Sequence, residues 1–351
     1  MSITSVSVGM ENAEQYKTML GHTMEVYDAV YLRDGQYITC SRDGSLRLWN
    51  QESGAQIGND LRDGAGGVRA IALSPGGKIV AAGSEDGTMR LWDMETGRVI
   101  AKWTGHTKGV RSVCWSADGE RVASGSYDGT VRVWSVESGD GVLRPIKTGH
   151  EYVLAVAYSP DTSKFATGGY NEDAIKIWDA TTGKLLSTLE QGSSVWSLAW
   201  TSDQKKLIAG FDNGSIRIFN FDSTSFIFQQ IAVLEDHKDS VTVISLFQND
   251  RLLASASLDN TARIWDLDTN LPVGSPMQHQ DYVYGAAFSA DGNFLVTACQ
   301  DTNAYVWDVH SIPKKAGNKQ PSPLPRASVS IRISLLASLQ PNAKISLSGY
   351  R

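Results

Sequence analysis

Residues that staple a small fold or build a metal site are scarce in this chain. Its 351 residues include three cysteines, Cys40, Cys114 and Cys299. The number is odd, and no two of them stand at metal-ligand spacing. All three lie in apolar, strand-like surroundings, which predicts buried free thiols in a reducing compartment. No staple is needed, because a chain of this size buries about three quarters of its unfolded surface. Long apolar runs are missing too, so no membrane span is predicted. The opening MSITSVSVGM lacks a basic stretch followed by an apolar one, which argues against a secretory leader. The location expected from these absences is intracellular, cytoplasmic first and nuclear second.

Acid is missing from one end only. Residues 310–351 hold Lys314, Lys315, Lys319, Arg326, Arg332, Lys344 and Arg351 and no Asp or Glu. With a net charge of −6 overall, this +7 segment leaves −13 for residues 1–309. An acidic body repels phosphate backbones, so nucleic acid is a disfavoured partner, reachable only through the tail. The tail from Ser311 contains PKKAGNKQPSPLPR, a basic, Pro-containing composition that predicts disorder.

What is abundant is glycine, with 33 residues, and tryptophan, with ten. Both follow a period. SGSYDGTVRVW ends at Trp134, CSRDGSLRLW at Trp49 and GSEDGTMRLW at Trp92. Related stretches end at Trp178, Phe219, Trp265 and Trp307. The steps are 43, 42, 44, 41, 46 and 42 residues, a mean of 43. Within one unit, Val110–Trp115 alternates, SADGE turns the chain, and Arg121–Ser126 reads as a second strand. DGT turns it again into Thr130–Trp134, and a fourth strand follows ESGDG. Four short strands cannot bury both faces of their sheet alone. Packing against like units in a ring buries both and leaves no open end.

Period, Asp-Gly turns and a Trp-Asp ending make the chain resemble the WD-repeat (WD40) β-propeller family, with seven repeats of fungal-type array. The resemblance implies an all-β, seven-bladed propeller of four-stranded antiparallel blades. It also implies closure by an N-terminal strand clasp, for which Gln15–Leu20 pairs with the strand ending at Trp307. The expected organisation is an extension at 1–13, the propeller at 14–310, and the tail at 311–351.

Ser, His and Asp in each unit are the residue types of a hydrolase triad. They recur at the same offsets: His22, Ser41, Asp43 and Trp49; His106, Ser126, Asp128 and Trp134; His237, Ser257, Asp259 and Trp265. Three identical triads are odd chemistry, and a repeated hydrogen-bond network is ordinary architecture. The resemblance implies such a tetrad, in which Asp holds His, His meets Ser, and the Trp N–H closes the chain. Four blades depart from it. Blade two has Ser84, Asp86 and Trp92 but no His. Blade four has an altered turn at Glu172 and Asp173, and blade five has Gln191, Phe211, Asn213 and Phe219. Blade seven has Cys299 in the Ser position. Arg47, Arg90, Arg132, Lys176, Arg217 and Arg263 stand two residues before the aromatic. They read either as an anion-binding ring or as stems packed inside each blade.

If the tetrads are scaffold, function lies on loops. The resemblance implies docking on the narrower rim, at positions flanking the first Val of each blade and just before the turn Asp. Among these positions Tyr27, Arg42, Arg69, Arg111, Tyr127, Tyr152, Trp196, Tyr282 and Tyr284 are of the types that dominate protein–protein hot spots. The expected function is a non-catalytic scaffold or adaptor binding protein or peptide partners. It would be a monomeric ring within a larger complex, with no cofactor, metal or small-molecule substrate. The alternative is a substrate-recognition or regulatory subunit. A propeller-framed enzyme ranks lower, because five of the six His fall on the repeat position and the sixth, His310, opens the tail.

Overall fold

The structure is a computed structural model. It describes residues 15–312 apart from 65, 172–173, 223–225 and 248–249. The extension at 1–13 and the tail from residue 313 lie outside the described residues.

Blade three shows how sequence becomes sheet. Val110–Trp115, Arg121–Ser126 and Thr130–Ser135 run antiparallel, and the short Ile146–Lys147 completes the order from inner to outer strand. The Asp128 carboxylate caps the second turn by accepting from the N–H and the hydroxyl of Thr130, at 2.9 and 2.6 Å. Gly129 follows at φ 76°, and a Cβ there would come 2.8 Å from the His150 carbonyl oxygen. The Asp-Gly pair therefore gives the turn its backbone shape and lets it nest against the next blade.

The described residues form seven such antiparallel sheets and no helix. In blade six the outer strand is broken into Leu271–Pro272 and Met277–Gln278, both paired with Thr261–Asp266. In blade seven the outer strand comes from the start of the chain. Gln15–Met19 pairs antiparallel with Ala304–Asp308, setting Gln15 opposite Trp307 and Met19 opposite Ala304. The ring is thus closed by hydrogen bonds between its two ends.

Each apolar core lies between neighbouring blades. Val110 and Trp134 of blade three pack with Ala81, Met89 and Leu91 of blade two. At the closing seam, Val26, Tyr37 and Trp49 of blade one meet Val296, Val306 and the clasp residue Met19. Met19 is 1% exposed and Trp49 is 1% exposed. Side chains of this size stabilise by roughly 1.5–3 kcal/mol each when fully buried. Seven seams of this kind make the blades interdependent.

Every inner strand carries one irregularity at the same place. The pairing register shifts across the residue after the first Val: Tyr27, Arg69, Arg111, Leu154, Trp196, Thr242 and Tyr284. These are β-bulges. A bulge adds one residue to one strand, bends it and re-aims a side chain.

Candidate protein-binding surface

The repeated Ser, His and Asp form internal braces. In blade three His106 Nδ1 meets Asp128 at 2.9 Å, and His106 Nε2 meets the Ser124 hydroxyl at 2.9 Å. The Trp134 indole N–H donates to the same hydroxyl at 2.9 Å. An indole N–H can only donate, so the Ser124 hydroxyl accepts from it while also bonding Nε2. An ionised carboxylate can only accept, so Nδ1 carries a proton that points at Asp128. Blade one repeats this with His22, Thr39, Asp43 and Trp49, and blade six with His237, Ser255, Asp259 and Trp265.

This corrects the expected tetrads in one member. Ser41, Ser126 and Ser257 do not meet the histidines. Their hydroxyls donate to the backbone carbonyls of Met24, Gly109 and Asp239, and accept from the turn N–H of Asp43, Asp128 and Asp259. The hydroxyl that links His to Trp stands two residues earlier. Ser124 and Ser126 share a sheet face, so alternation could not separate them. Pairing does, because Trp134 lies opposite Val122 and its ring reaches the diagonal neighbour Ser124. Ser124 is 0% exposed and the His ring is fully engaged, so the constellation is not a hydrolase triad. Burial works against ionisation of Asp43, Asp128 and Asp259. Bonds from His, the turn hydroxyl and the backbone N–H outweigh it and hold these carboxyls well below the usual range.

The departing blades differ from this pattern and from one another. In blade seven the linking hydroxyl is Thr297, bonded to His279 at 2.7 Å and to Trp307 at 2.9 Å. Cys299 is therefore not a gap in that brace. Asp301 takes the Tyr305 hydroxyl, and His279 turns its Nδ1 to the Met277 carbonyl at 3.1 Å. In blade two Ala82 stands where the linking hydroxyl would be and the buried Trp92 indole N–H has no hydrogen-bond partner; Arg90 instead ties the turn serine Ser84, at 2.8 Å, to Asp63, at 2.8 Å. In blade five the Arg217 guanidinium lies 4.3 Å from the centre of the Phe211 ring and donates to Gln191.

The anion-ring reading fails. Arg47 and Arg263 pair with Asp60 and Asp236, and Arg132, Lys176 and Arg217 donate to the backbone carbonyls of Gly105, Thr148 and Gln191. The expectation of a stem along its own aromatic holds for Arg132, 5.7 Å from the Trp134 ring centre. The three cysteines are free, Cys40 and Cys299 buried and Cys114 half-buried. Burial pushes the Cys40 thiol well up, and those of Cys114 and Cys299 up to about 12, so all three stay protonated.

At one mouth of the ring the bulges converge. Tyr27, Arg69, Arg111, Trp196 and Tyr284, all bulge residues, line one recess of about 220 Å³ together with Tyr127, Tyr282 and Leu258. Seven of the nine expected rim residues are brought together there. Arg42 and Tyr152 lie outside the lining. Arg42 pairs with Glu25 at 3.0 Å, and Tyr152 stands edge-on to Tyr127 at 5.5 Å. Arg69 is fixed on three sides, with its guanidinium 4.4 Å from the Tyr27 ring centre, its Nε 3.0 Å from Glu85 and its Nη1 3.3 Å from the Tyr127 hydroxyl. Tyr27 stands edge-on to Tyr284 at 5.4 Å. Leu258, the blade-six residue just before the turn Asp and so at an expected rim position, also lines the recess.

A ring of like blades with an aromatic recess at its mouth is the architecture of a repeat-built binding platform. The family model described as WD domain, G-beta repeat matches seven segments, at 13–50, 59–93, 97–135, 143–179, 183–220, 228–266 and 271–308. The chain belongs to this family. It is 33% identical over 162 residues to the nuclear distribution protein nudF of Aspergillus niger, which is 45% of this chain and 36% of that protein. It is 28% identical over 156 residues to apoptotic protease-activating factor 1 of Homo sapiens, covering 44% of this chain and 12% of that one. It is 32% identical over 119 residues to cell division cycle 20.4, cofactor of APC complex, of Arabidopsis thaliana, covering 33% and 26%. The matched region thus spans about a third or less of each relative.

Proposed function

We propose that this protein is a non-catalytic interaction scaffold that binds a partner protein or peptide on the rim around the channel mouth. One observation carries the reading. The bulges of five blades aim aromatic and arginine side chains into a single recess, while the repeated His, Asp and hydroxyl groups are spent on braces. Aromatic and Arg anchors in a desolvated recess are the usual source of binding energy at protein interfaces. The second reading, a regulatory or substrate-recognition subunit of a larger complex, is favoured by the relative whose name calls it a cofactor of a complex. The scaffold reading contains it, since such a subunit also works by holding partners.

The test is affinity capture with single Ala substitutions of Tyr127, Trp196 and Tyr284 in the full chain. The scaffold reading expects at least one partner to be lost while the variants stay folded. Folded variants that keep every partner would place the docking surface elsewhere.

A further inference from the structure

The recess is small. About 220 Å³ is the room of roughly seven waters. It admits one side chain, whereas a helix about 10–12 Å across would rest on the rim. Its lining contains two guanidinium groups and no carboxylate. Arg69 is already committed to Glu85. Arg111 makes no ion pair or hydrogen bond to any described residue. Arg111 acts on the Asp28 carboxyl through space but forms no ion pair with it. Asp28 spends its oxygens on the backbone N–H groups of Ala29 and Ile71, at 2.9 and 3.3 Å. A half-buried guanidinium between aromatic walls has lost part of its hydration, and a bound anion restores what was lost.

An aromatic path leads out of the recess in one direction. From Tyr284 and Tyr27 it runs through Arg69 to Tyr127, 5.6 Å from that guanidinium. It continues from Tyr127 to Tyr152 at 5.5 Å, and from Tyr152 to a stacked Tyr170 at 6.0 Å. Tyr170 is 43% exposed. The path crosses from blade seven to blade four.

We infer that the recess receives the carboxylate of a Glu or Asp from an extended partner segment, with Arg111 as its ion partner and Tyr127, Tyr152 and Tyr170 as the platform for its apolar neighbours. This rests on the rim reading above. A phosphate would bring nearly two charges and three strong acceptors, and only one guanidinium is open to it. A carboxylate matches one guanidinium, two oxygens to two N–H groups. The −13 body opposes such a ligand at long range, but that field is screened beyond about 8 Å at physiological salt. Association should therefore quicken as salt rises from low values, the reverse of what a basic ligand would show.

The experiment pans random linear peptides displayed on phage against the full chain at physiological salt. Enriched peptides are then synthesised and titrated by fluorescence polarisation. The expected winners carry one Glu or Asp beside an aromatic or aliphatic residue. Changing that acid to its amide, or Arg111→Met in the protein, should weaken binding about tenfold or more. Both changes together should cost little more than either alone, and Arg111→Lys should keep part of the affinity. Melting curves of both Arg111 variants separate lost binding from lost folding. Winners that need Tyr127 but carry a central Lys or Arg, or ignore Arg111→Met, would overturn the carboxylate assignment and leave the rim reading intact. Winners indifferent to Tyr127→Ala, or no winners at all, would count against the rim reading itself.

Discussion

Arg90 packs closely against Gly64, the residue that stands in blade two at the sequence position where blades one, three and six carry a histidine. A Cβ on Gly64 would come 3.0 Å from Arg90 Nη2, and Gly64 adopts φ 101°. Arg90 is 4% exposed and joins Asp63, Asp86, Ser84 and Thr88. Arg90→Ala should cost about 1–3 kcal/mol. The partner aspartates are partly exposed and can be rehydrated, which keeps the loss below that of a fully buried pair. Gly64→His alone should also destabilise, since it meets both a left-handed backbone and the guanidinium. Chemical denaturation of both variants checks this. A stabilised Gly64→His would show that Arg90 gives way to the imidazole ring without loss.

The two serines of SGSYDG should separate by mutation. Ser124→Ala strands two buried groups, the His106 ring nitrogen and the Trp134 N–H, at about 1–3 kcal/mol each. Ser126→Ala removes bonds to backbone groups, of which the Gly109 carbonyl is buried and the Asp128 N–H lies at the half-buried turn, and should cost about 1–2 kcal/mol. Equilibrium unfolding of the pair measures the order. Ser126→Ala as the costlier change would contradict the brace described above.

The clasp sets the closing seam. Removing residues 1–20 leaves the Ala304–Asp308 edge unpaired and takes Met19 out of the core beside Trp49. The melting temperature should fall sharply. Met19→Ala alone should cost about 2–5 kcal/mol, as for other buried large-to-small changes. An unchanged melting curve after the deletion would mean that the ring does not depend on that strand.

Asp28 gives the fold a pH signature. Burial, opposed by backbone hydrogen bonds and by Arg111, pushes its carboxyl up to about 6. The folded state then binds a proton that the unfolded state has released, between roughly pH 4 and 6. Stability should fall as pH rises through that window, by an amount on the order of 2–3 kcal/mol at most. Asp28→Asn removes the charge, so its stability relative to the parent should climb between about pH 4 and 7. A difference independent of pH would contradict the shift. His279 acts in the opposite sense. Burial lowers it to about 4, so it withdraws stability as pH falls below the ordinary histidine range.

Much of this was legible in the sequence because it depends on period alone. The 43-residue step, the Asp-Gly turns and the aromatic at the end of each third strand gave seven blades. Features that depend on pairing between strands were not legible. Parity could not choose between Ser124 and Ser126, since both face the same way. The bulges at Arg69 and Arg111 leave no mark in a single strand, so the rim residues appeared as a wide arc. Pairing gathers seven of them into one recess and leaves Arg42 outside it. The tie from Arg90 to Ser84 and Asp63 hid in a residue that reads, blade by blade, as an ordinary packed stem.

Placing a photocrosslinking amino acid at one position at a time in cells tests the rim reading most directly. Tyr127 and Tyr284 mark the recess, and Ile100, on the outer strand of blade two and 53% exposed, marks the ring's outer wall. The account predicts covalent partner adducts at Tyr127 and Tyr284 and none at Ile100. Adducts at Ile100 with none at Tyr127 or Tyr284 would contradict it.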